Sequence, residues 1–226
     1  MNQPSAELVA FFEIQVALVA MFWTWTLGRR AGIGIGIFLA GTWLAAYAGW
    51  MRFGPIPPPV PALLVPVTIA TAVMARRAPV ERLGLGWLIG FQSFRILVEI
   101  FLWWGHREGV VPVQLTWEGR NFDVLTGLSA PVMGWLAARG SLATMAIKIW
   151  NLAGLALLVN VVSVAALSMP TPLQRFEPVN LFVAEAPFVW LPLFLVQSAW
   201  FGHVALWRLT GRDQEPPAHG TRAAAG

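Results

Sequence analysis

Long apolar stretches recur along the chain and are separated by short polar or basic segments. A bilayer core about 30 Å thick requires roughly 20 apolar residues per helix, and several stretches approach that length. The pattern predicts an all-α integral membrane protein with about seven transmembrane helices in one bundle, forming a single domain over residues 1–210. The predicted spans lie near residues 8–27, 31–51, 60–74, 85–104, 123–138, 143–169 and 184–206.

Two of these spans and the end of the chain depart from the simple pattern. The third span is short, contains Pro66 and follows the proline-rich turn Pro55–Pro61. A re-entrant or interfacial segment is therefore an alternative for residues 60–74, and six spans are the alternative to seven. The fifth span is also short. Residues 211–226 are predicted to form a disordered polar tail.

The composition excludes an ordinary soluble domain. Of the 226 residues, 57% are hydrophobic and only 12% are charged, which leaves too few charges to cover a water-facing surface. The sequence contains no cysteine, so disulfides and thiolate ligands are excluded. Because Met1–Glu7 contains no Lys or Arg, and the apolar run that follows is too long, we expect no cleavable signal peptide there.

Basic residues predict the orientation in the membrane. Arg29 and Arg30 follow the first span, which places the amino terminus outside under the positive-inside rule. With seven alternating spans, ten basic residues fall inside and four outside, so the carboxyl terminus is predicted inside. The inner set is Arg29, Arg30, Arg76, Arg77, Arg82, Arg139, Lys148, Arg208, Arg212 and Arg222, and the outer set is Arg52, Arg107, Arg120 and Arg175.

The same charges bear on partners and location. The net charge of +4 arises from short loops rather than from one basic face, so no nucleic-acid partner is expected. Arginine supplies nearly all of the basic residues, which is compatible with a GC-rich bacterial genome. We therefore expect a multi-pass protein of the cell membrane, specifically the bacterial inner membrane. Its expected partner is the lipid bilayer.

Glycines suggest packing faces rather than a nucleotide site. Gly32, Gly34 and Gly36 spell G-x-G-x-G, but they open a membrane helix instead of linking a strand to a helix. The spacing Gly32/Gly36 and the similar spacing Gly86/Gly90 are small-xxx-small faces. Either face is predicted to allow contact with a membrane-protein partner or a second copy of the chain.

The histidines and lysine do not match familiar cofactor sites. A retinal protein needs a lysine in its final helix, which this chain lacks. Bis-histidine haem ligation needs two histidines within spans, whereas only His203 lies well inside one. The same scarcity disfavours a histidine-based zinc site, so the sequence assigns no cofactor and no metal.

Ionisable residues within the spans carry the functional information. Each costs about 2.5–3.5 kcal/mol near the bilayer centre and therefore needs a partner or a water-filled cavity. In the fourth span, Gln92, Arg95, Glu99, Trp103 and His106 follow spacings of three and four and share one helical face. Arg95 and Glu99 are predicted to form a buried ion pair, which serves either helix packing or a gate, proton relay or anion clamp.

Helix direction places several polar residues at similar depths toward the outer side. The predicted polar cavity there is formed by Glu13, Arg95, Glu99, Glu118, Asn121, Asp123, Asn160 and Glu185. For Asn121 and Asp123, capping of the fifth helix is the alternative. The outer loop 170–178 is expected to form the opposite rim of a pocket.

Three functions remain open at this point. The first is binding or transport of a small cation, proton or polar molecule through an outward-facing cavity. The second is a membrane-embedded enzyme that acts on a lipid or isoprenoid by carboxylate acid–base chemistry. The third is a structural subunit of a larger membrane complex, which internally paired charges would favour.

Overall fold

The computed structural model describes residues 2–54 and 59–212, and all regular structure in these ranges is helical. The all-α prediction is therefore confirmed. Residues 55–58 of the proline-rich turn and residues 213–226 of the predicted tail lie outside the described residues, while residues 211 and 212 end the last helix. The α-helices are α1 (Ala6–Leu27), α2 (Arg29–Tyr47), α3 (Pro59–Arg77), α4 (Gly84–Phe91), α5 (Phe94–Arg107), α6 (Val124–Ala138), α7 (Thr144–Leu167) and α8 (Val196–Arg212).

Five helical segments within the described residues are long and apolar enough to cross a membrane. They are Ala6–Leu27, Arg29–Tyr47, Val60–Arg77, Val80–Arg107 and Thr144–Leu167. The helix α6 has only 15 residues, which extend about 22 Å at 1.5 Å per residue, less than the bilayer core. The chain is a multi-pass membrane protein, while its seven-span count and its orientation stay predictions.

The surface of the bundle is apolar, as a lipid-facing surface requires. Ile14 on α1, Ile37 on α2, Leu128 on α6 and Ile149 on α7 are all more than half exposed. Such a continuous apolar exterior would be an aggregation hazard in water but is stable against lipid. Buried aromatic rings fill the interior instead, with Phe12 lying 4.6 Å from Phe101 between ring centroids.

The predicted fourth span is two helices joined by one tight turn. The amides of Gln92, Ser93, Arg95 and Ile96 each donate to the carbonyl three residues earlier, at 3.0–3.2 Å. This 3-10 turn separates α4 from α5 and sets the rotation of α5, which carries Arg95 and Glu99 on its buried side. The predicted third span is a continuous helix, α3, that accommodates Pro66.

Glycines bring α4 and α6 into backbone contact. A Cβ atom on Gly134 would lie 2.8 Å from the carbonyl oxygen of Gly86 and 2.9 Å from the amide nitrogen of Gly90. The Gly86/Gly90 face, predicted for an external partner, thus packs inside the chain. Gly32 lies against Thr24 of α1, whereas Gly36 has open space where its Cβ would be.

Loops after α5 and α7 gather on the side of the bundle that holds the amino terminus. The hydroxyl of Ser5 donates to the Glu108 carboxylate at 2.6 Å. Beyond α5, the amide of Gln114 donates to the Ser168 hydroxyl at 3.0 Å and to the Pro178 carbonyl at 2.7 Å. The predicted seventh span begins irregularly with the 3-10 turn Phe182–Ala184 and the π-helical turn Leu191–Leu195, and it becomes α-helical at Val196.

Candidate functional site

A buried ion pair between Arg95 and Asp123 forms the centre of the candidate site. Arg95 is on α5, and Asp123 immediately precedes α6. The Arg95 Nε donates to Asp123 Oδ2 at 2.6 Å, and Nη2 donates to the other carboxylate oxygen. The exposed fractions of the two side chains are 2% and 7%. This two-pronged contact matches the planar fork of the guanidinium to the carboxylate.

The prediction that Arg95 pairs with Glu99 is wrong, because Arg95 pairs with Asp123 instead. Glu99 is buried one turn after Arg95, and its Oε1 accepts a hydrogen bond from Asn121 Nδ2 at 2.7 Å. The Arg95 fork instead extends across to the start of α6. Helical spacing identified two neighbours on one face, but it contained no information on which loop residue folds against them.

Asn121 positions both carboxylates. Its Nδ2 also donates to the Leu115 carbonyl at 3.0 Å, and its Oδ1 accepts from the amide of Asp123 at 2.9 Å. The Asp123 side chain makes no capping hydrogen bond to α6, so the capping alternative does not hold for this residue. Asn121 thus holds the backbone amide of Asp123, and the Asp123 side chain remains free to pair with Arg95.

His203 on α8 extends the network from the other side of Arg95. Its Nε2 lies 3.0 Å from Arg95 Nη1, and its Nδ1 lies 2.8 Å from Asn151 Oδ1. Arginine only donates hydrogen bonds, so Nε2 must be the acceptor and Nδ1 must carry the proton. The imidazole is therefore neutral, and it donates to Asn151, whose Nδ2 donates to the His203 carbonyl at 3.1 Å.

Gly154 provides the space in which this part of the network packs. A Cβ atom there would lie 2.8 Å from His203 Cε1 and 2.9 Å from Thr126 Cγ2. The Gly154 carbonyl also lies 3.5 Å from Arg95 Nη2. Sequence reasoning assigned no role to Asn151, Gly154 or His203. The sequence feature that could have identified Asn151 and Gly154 is their spacing with Leu158, which places all three on one buried face of α7.

A largely apolar cavity of about 80 Å³ adjoins the network. Eighteen of its 21 described lining residues are apolar, and the other three are Arg95, Glu99 and Asp123. Glu99 Oε2 is buried without a hydrogen-bond partner in the described ranges. Its second carboxylate oxygen is thus available to a polar group that enters this cavity.

The structure brings together four of the eight predicted site residues: Arg95, Glu99, Asn121 and Asp123. Glu13 lies on the exposed side of α1, because the buried face of that helix runs through Phe12, Gln15 and Val16. Glu185 instead pairs with Arg52 at 3.2 Å near the surface.

Glu118 lies in the surface loop after α5, and Asn160 lies on α7 beside that loop. Glu118 is exposed and accepts a hydrogen bond from Trp103 Nε1 at 2.9 Å, and Asn160 Nδ2 donates to the Arg120 carbonyl at 2.8 Å. Glu118 lines a separate, open depression of about 540 Å³, which also includes Arg120, Phe176 and Glu177. The loop that contains residues 170–178 does face the 113–122 loop across this depression, apart from the buried network.

These observations define the chain as a multi-pass helical membrane protein with a buried Arg–carboxylate–His network beside an apolar cavity. Within the described residues, no group of three or more His, Asp or Glu side chains is arranged to hold a metal ion. Comparison with protein-family models, with curated proteins and with solved structures found no match to this chain.

Proposed function

We propose that the chain binds an amphipathic organic cation inside the membrane, with the cationic head on Glu99 and the apolar part in the adjoining cavity. The observation that carries this proposal is the composition of the cavity wall. It is apolar except for three charged residues that belong to one hydrogen-bonded network. A molecule that fits must be largely apolar and carry one polar group.

The charges favour a positive head group. Arg95 and Asp123 offset each other's charge in direct contact, whereas Glu99 accepts a hydrogen bond from the neutral amide of Asn121 and forms no ion pair with a described residue. An ionised carboxylate buried without a counter-charge is unfavourable, so a ligand ammonium would stabilise it. An ammonium also donates hydrogen bonds, which the unpartnered Glu99 Oε2 accepts.

This proposal narrows the function predicted from sequence. The mainly apolar wall does not suit a bare hydrated cation, which needs several oxygen ligands. A purely structural subunit would be expected to pair its buried charges internally, and Glu99 has no such partner among the described residues. The wall composition and the free carboxylate oxygen together support binding of a molecule that is both apolar and charged.

Octylamine and octanoate provide a direct test, because they share chain length and differ in charge. We expect the purified protein in lipid nanodiscs to bind octylamine in calorimetry and octanoate much more weakly. Glu99→Gln should weaken octylamine binding at least about tenfold, equal to about 1.4 kcal/mol. Glu118→Gln is the matched control, since Glu118 is exposed and lies outside the cavity. Equal binding of both compounds, or an unchanged affinity in Glu99→Gln, would contradict the proposal.

A membrane-embedded enzyme is the second candidate, favoured by the same free carboxylate oxygen. Beside an apolar cavity, Glu99 is placed to act as an acid or base toward a lipid-soluble substrate. Lipids extracted from cells that contain the wild-type protein should then differ in composition from those of cells with Glu99→Gln. Identical lipid profiles would exclude this candidate.

A further inference from the structure

A second pair of buried polar groups lies on α8, apart from the Arg95 network. Gln197 and Trp200 are three residues apart and so share one face of the helix. Gln197 is 5% exposed, and its Nε2 donates to the Pro192 carbonyl at 3.2 Å. Because a carbonyl only accepts, the amide nitrogen must face Pro192 and the amide oxygen must point elsewhere.

Two polar atoms of this pair lack partners. Gln197 Oε1 and Trp200 Nε1 are both buried, and no described residue hydrogen-bonds to either one. Buried polar atoms in folded proteins almost always have a partner. The pair therefore leaves one acceptor and one donor unused.

Both side chains line a cleft of about 180 Å³ between α3, α7 and α8. Leu64, Leu158 and Val162 form apolar walls of this cleft, which Thr68 and Ser163 also line. The Ser163 hydroxyl donates to the Val159 carbonyl at 2.7 Å within its own helix. The cleft also includes Val159, which is 51% exposed on the outer surface of α7. It is therefore accessible from the lipid phase between α3 and α7.

We propose that this cleft binds the hydroxyl group of a long-chain alcohol taken from the bilayer. A hydroxyl donates its hydrogen to Gln197 Oε1 and accepts from Trp200 Nε1, so one group satisfies both atoms. A carboxylate has no hydrogen for Gln197, and an ammonium has no lone pair for Trp200. The cleft is several times larger than the volume of about 30 Å³ that one water occupies, and its apolar walls suit a hydrocarbon chain.

The site is independent of the proposed function, because it depends on atoms of α8 and not on Glu99. The cleft and the cavity beside the Arg95 network share part of their apolar wall, including Leu64 and Leu158. The polar groups at their ends differ in chemistry. The two proposals can therefore fail separately.

Photolabelling of the full-length protein in phosphatidylcholine vesicles tests the site. The probe is a diazirine-bearing hexadecanol, and its methyl ether is the control, because the ether oxygen accepts but cannot donate. We expect the alcohol to label peptides of α7 and α8 about fivefold more than the ether, as the loss of one hydrogen bond implies. Equal labelling by the two probes would overturn the proposal and leave only contact with lipid chains or a bound water.

Variants separate hydroxyl recognition from general lipid contact. Gln197→Leu and Trp200→Phe should each reduce alcohol labelling to the level of the ether. Gln92→Leu is the matched control, since Gln92 is another buried glutamine with an unpartnered amide oxygen but lies outside the cleft. Glu99→Gln should leave alcohol labelling unchanged. Wild-type labelling in a folded Trp200→Phe variant would contradict the site even if Gln197→Leu failed to fold.

Discussion

The guanidinium of Arg95 engages groups from three other helical segments. It contacts Asp123 before α6, His203 on α8 and the Gly154 carbonyl on α7. Each contact uses a hydrogen that points in a fixed direction in the guanidinium plane. One side chain thus orients four parts of the bundle relative to one another.

Removing either member of the Arg95–Asp123 pair should destabilise the protein strongly. Arg95→Leu leaves Asp123 buried without its counter-charge, and Asp123→Leu does the same to Arg95. Breaking a buried pair typically costs about 3–5 kcal/mol, whereas replacing both members with apolar residues costs much less. Thermal unfolding in detergent should show each single variant melting below the double variant.

The Arg52–Glu185 pair is the matched control for this measurement. Its side chains are 65% and 35% exposed, and exposed pairs contribute only about 0–1 kcal/mol. The corresponding leucine variants should therefore melt close to the wild type. Additive losses in the Arg95 and Asp123 variants would show that the two charges are not energetically coupled.

At the scale of elements, the fourth span shows what periodicity can and cannot predict. Residues spaced by three and four align on one face in an α-helix, and a single 3-10 turn preserves the alignment of Gln92 with Arg95. The structure buries Gln92, Arg95 and Glu99 of the predicted polar face, whereas Trp103 and His106 are partly exposed. The sequence pattern contained no signal for the turn at Gln92–Ser93. The helix α4, which ends at this turn, packs closely against α6, and residue spacing within one helix does not predict that tertiary contact.

Gly134→Ala should weaken the contact between α4 and α6. The added methyl group would meet backbone atoms of Gly86 and Gly90, which cannot rotate away as a side chain would. Overpacking of this kind costs about 1–3 kcal/mol, and a lower melting temperature in detergent would reveal it. Gly36→Ala is the control, because its methyl group would enter open space. A Gly134→Ala protein as stable as Gly36→Ala would contradict this packing.

The contact between Ser5 and Glu108 ties the start of α1 to the end of α5 and depends on pH. Partial burial acts to raise the pKa of the Glu108 carboxyl, but hydrogen bonds from the Ser5 hydroxyl and amide lower it below its ordinary value. A lowered pKa in the folded state stabilises the protein above the ordinary carboxyl pKa. This stabilisation is lost as the pH falls through the lowered value.

Glu108→Gln should accordingly lower stability slightly at pH 7, by less than about 1 kcal/mol for a partly exposed contact. The difference from the wild type should vanish as the pH falls below the lowered carboxyl pKa. Melting temperatures measured across this acidic range test the sign. Glu177→Gln is a control of the same charge change, because the Glu177 carboxylate is bound by Gln174 within its own loop. A deficit that grows toward low pH would refute the interpretation.

At the scale of the whole molecule, apolar patterning predicted the helical class, and the cost of burying polar and charged groups directed attention to Arg95, Glu99, Asn121 and Asp123. Both inferences depend on local sequence and on general energetics. The choice of Asp123 over Glu99 as the partner of Arg95 depends on how the 108–123 loop folds. The exposure of Glu13 depends on which face of α1 packs inward. Neither feature is encoded in the spacing of residues within one helix.

The basic bias of ten residues to four predicts that the amino terminus is outside and the carboxyl terminus inside. A green fluorescent protein fused after Gly226 should fluoresce, and alkaline phosphatase at the same position should be inactive. A phosphatase fusion in the 108–123 loop should be active and is the control. An active phosphatase after Gly226 would overturn either the orientation or the odd number of spans.

The position of Arg95 between Asp123 and His203 has an electrical consequence. A guanidinium keeps all of its hydrogens under physiological conditions. Arg95 therefore acts on both neighbours through its positive charge but does not transfer protons between them. A proton released at the carboxylates therefore cannot hop through Arg95 to the imidazole and on to Asn151. Arg95 therefore does not link proton exchange at the carboxylates to proton exchange at His203.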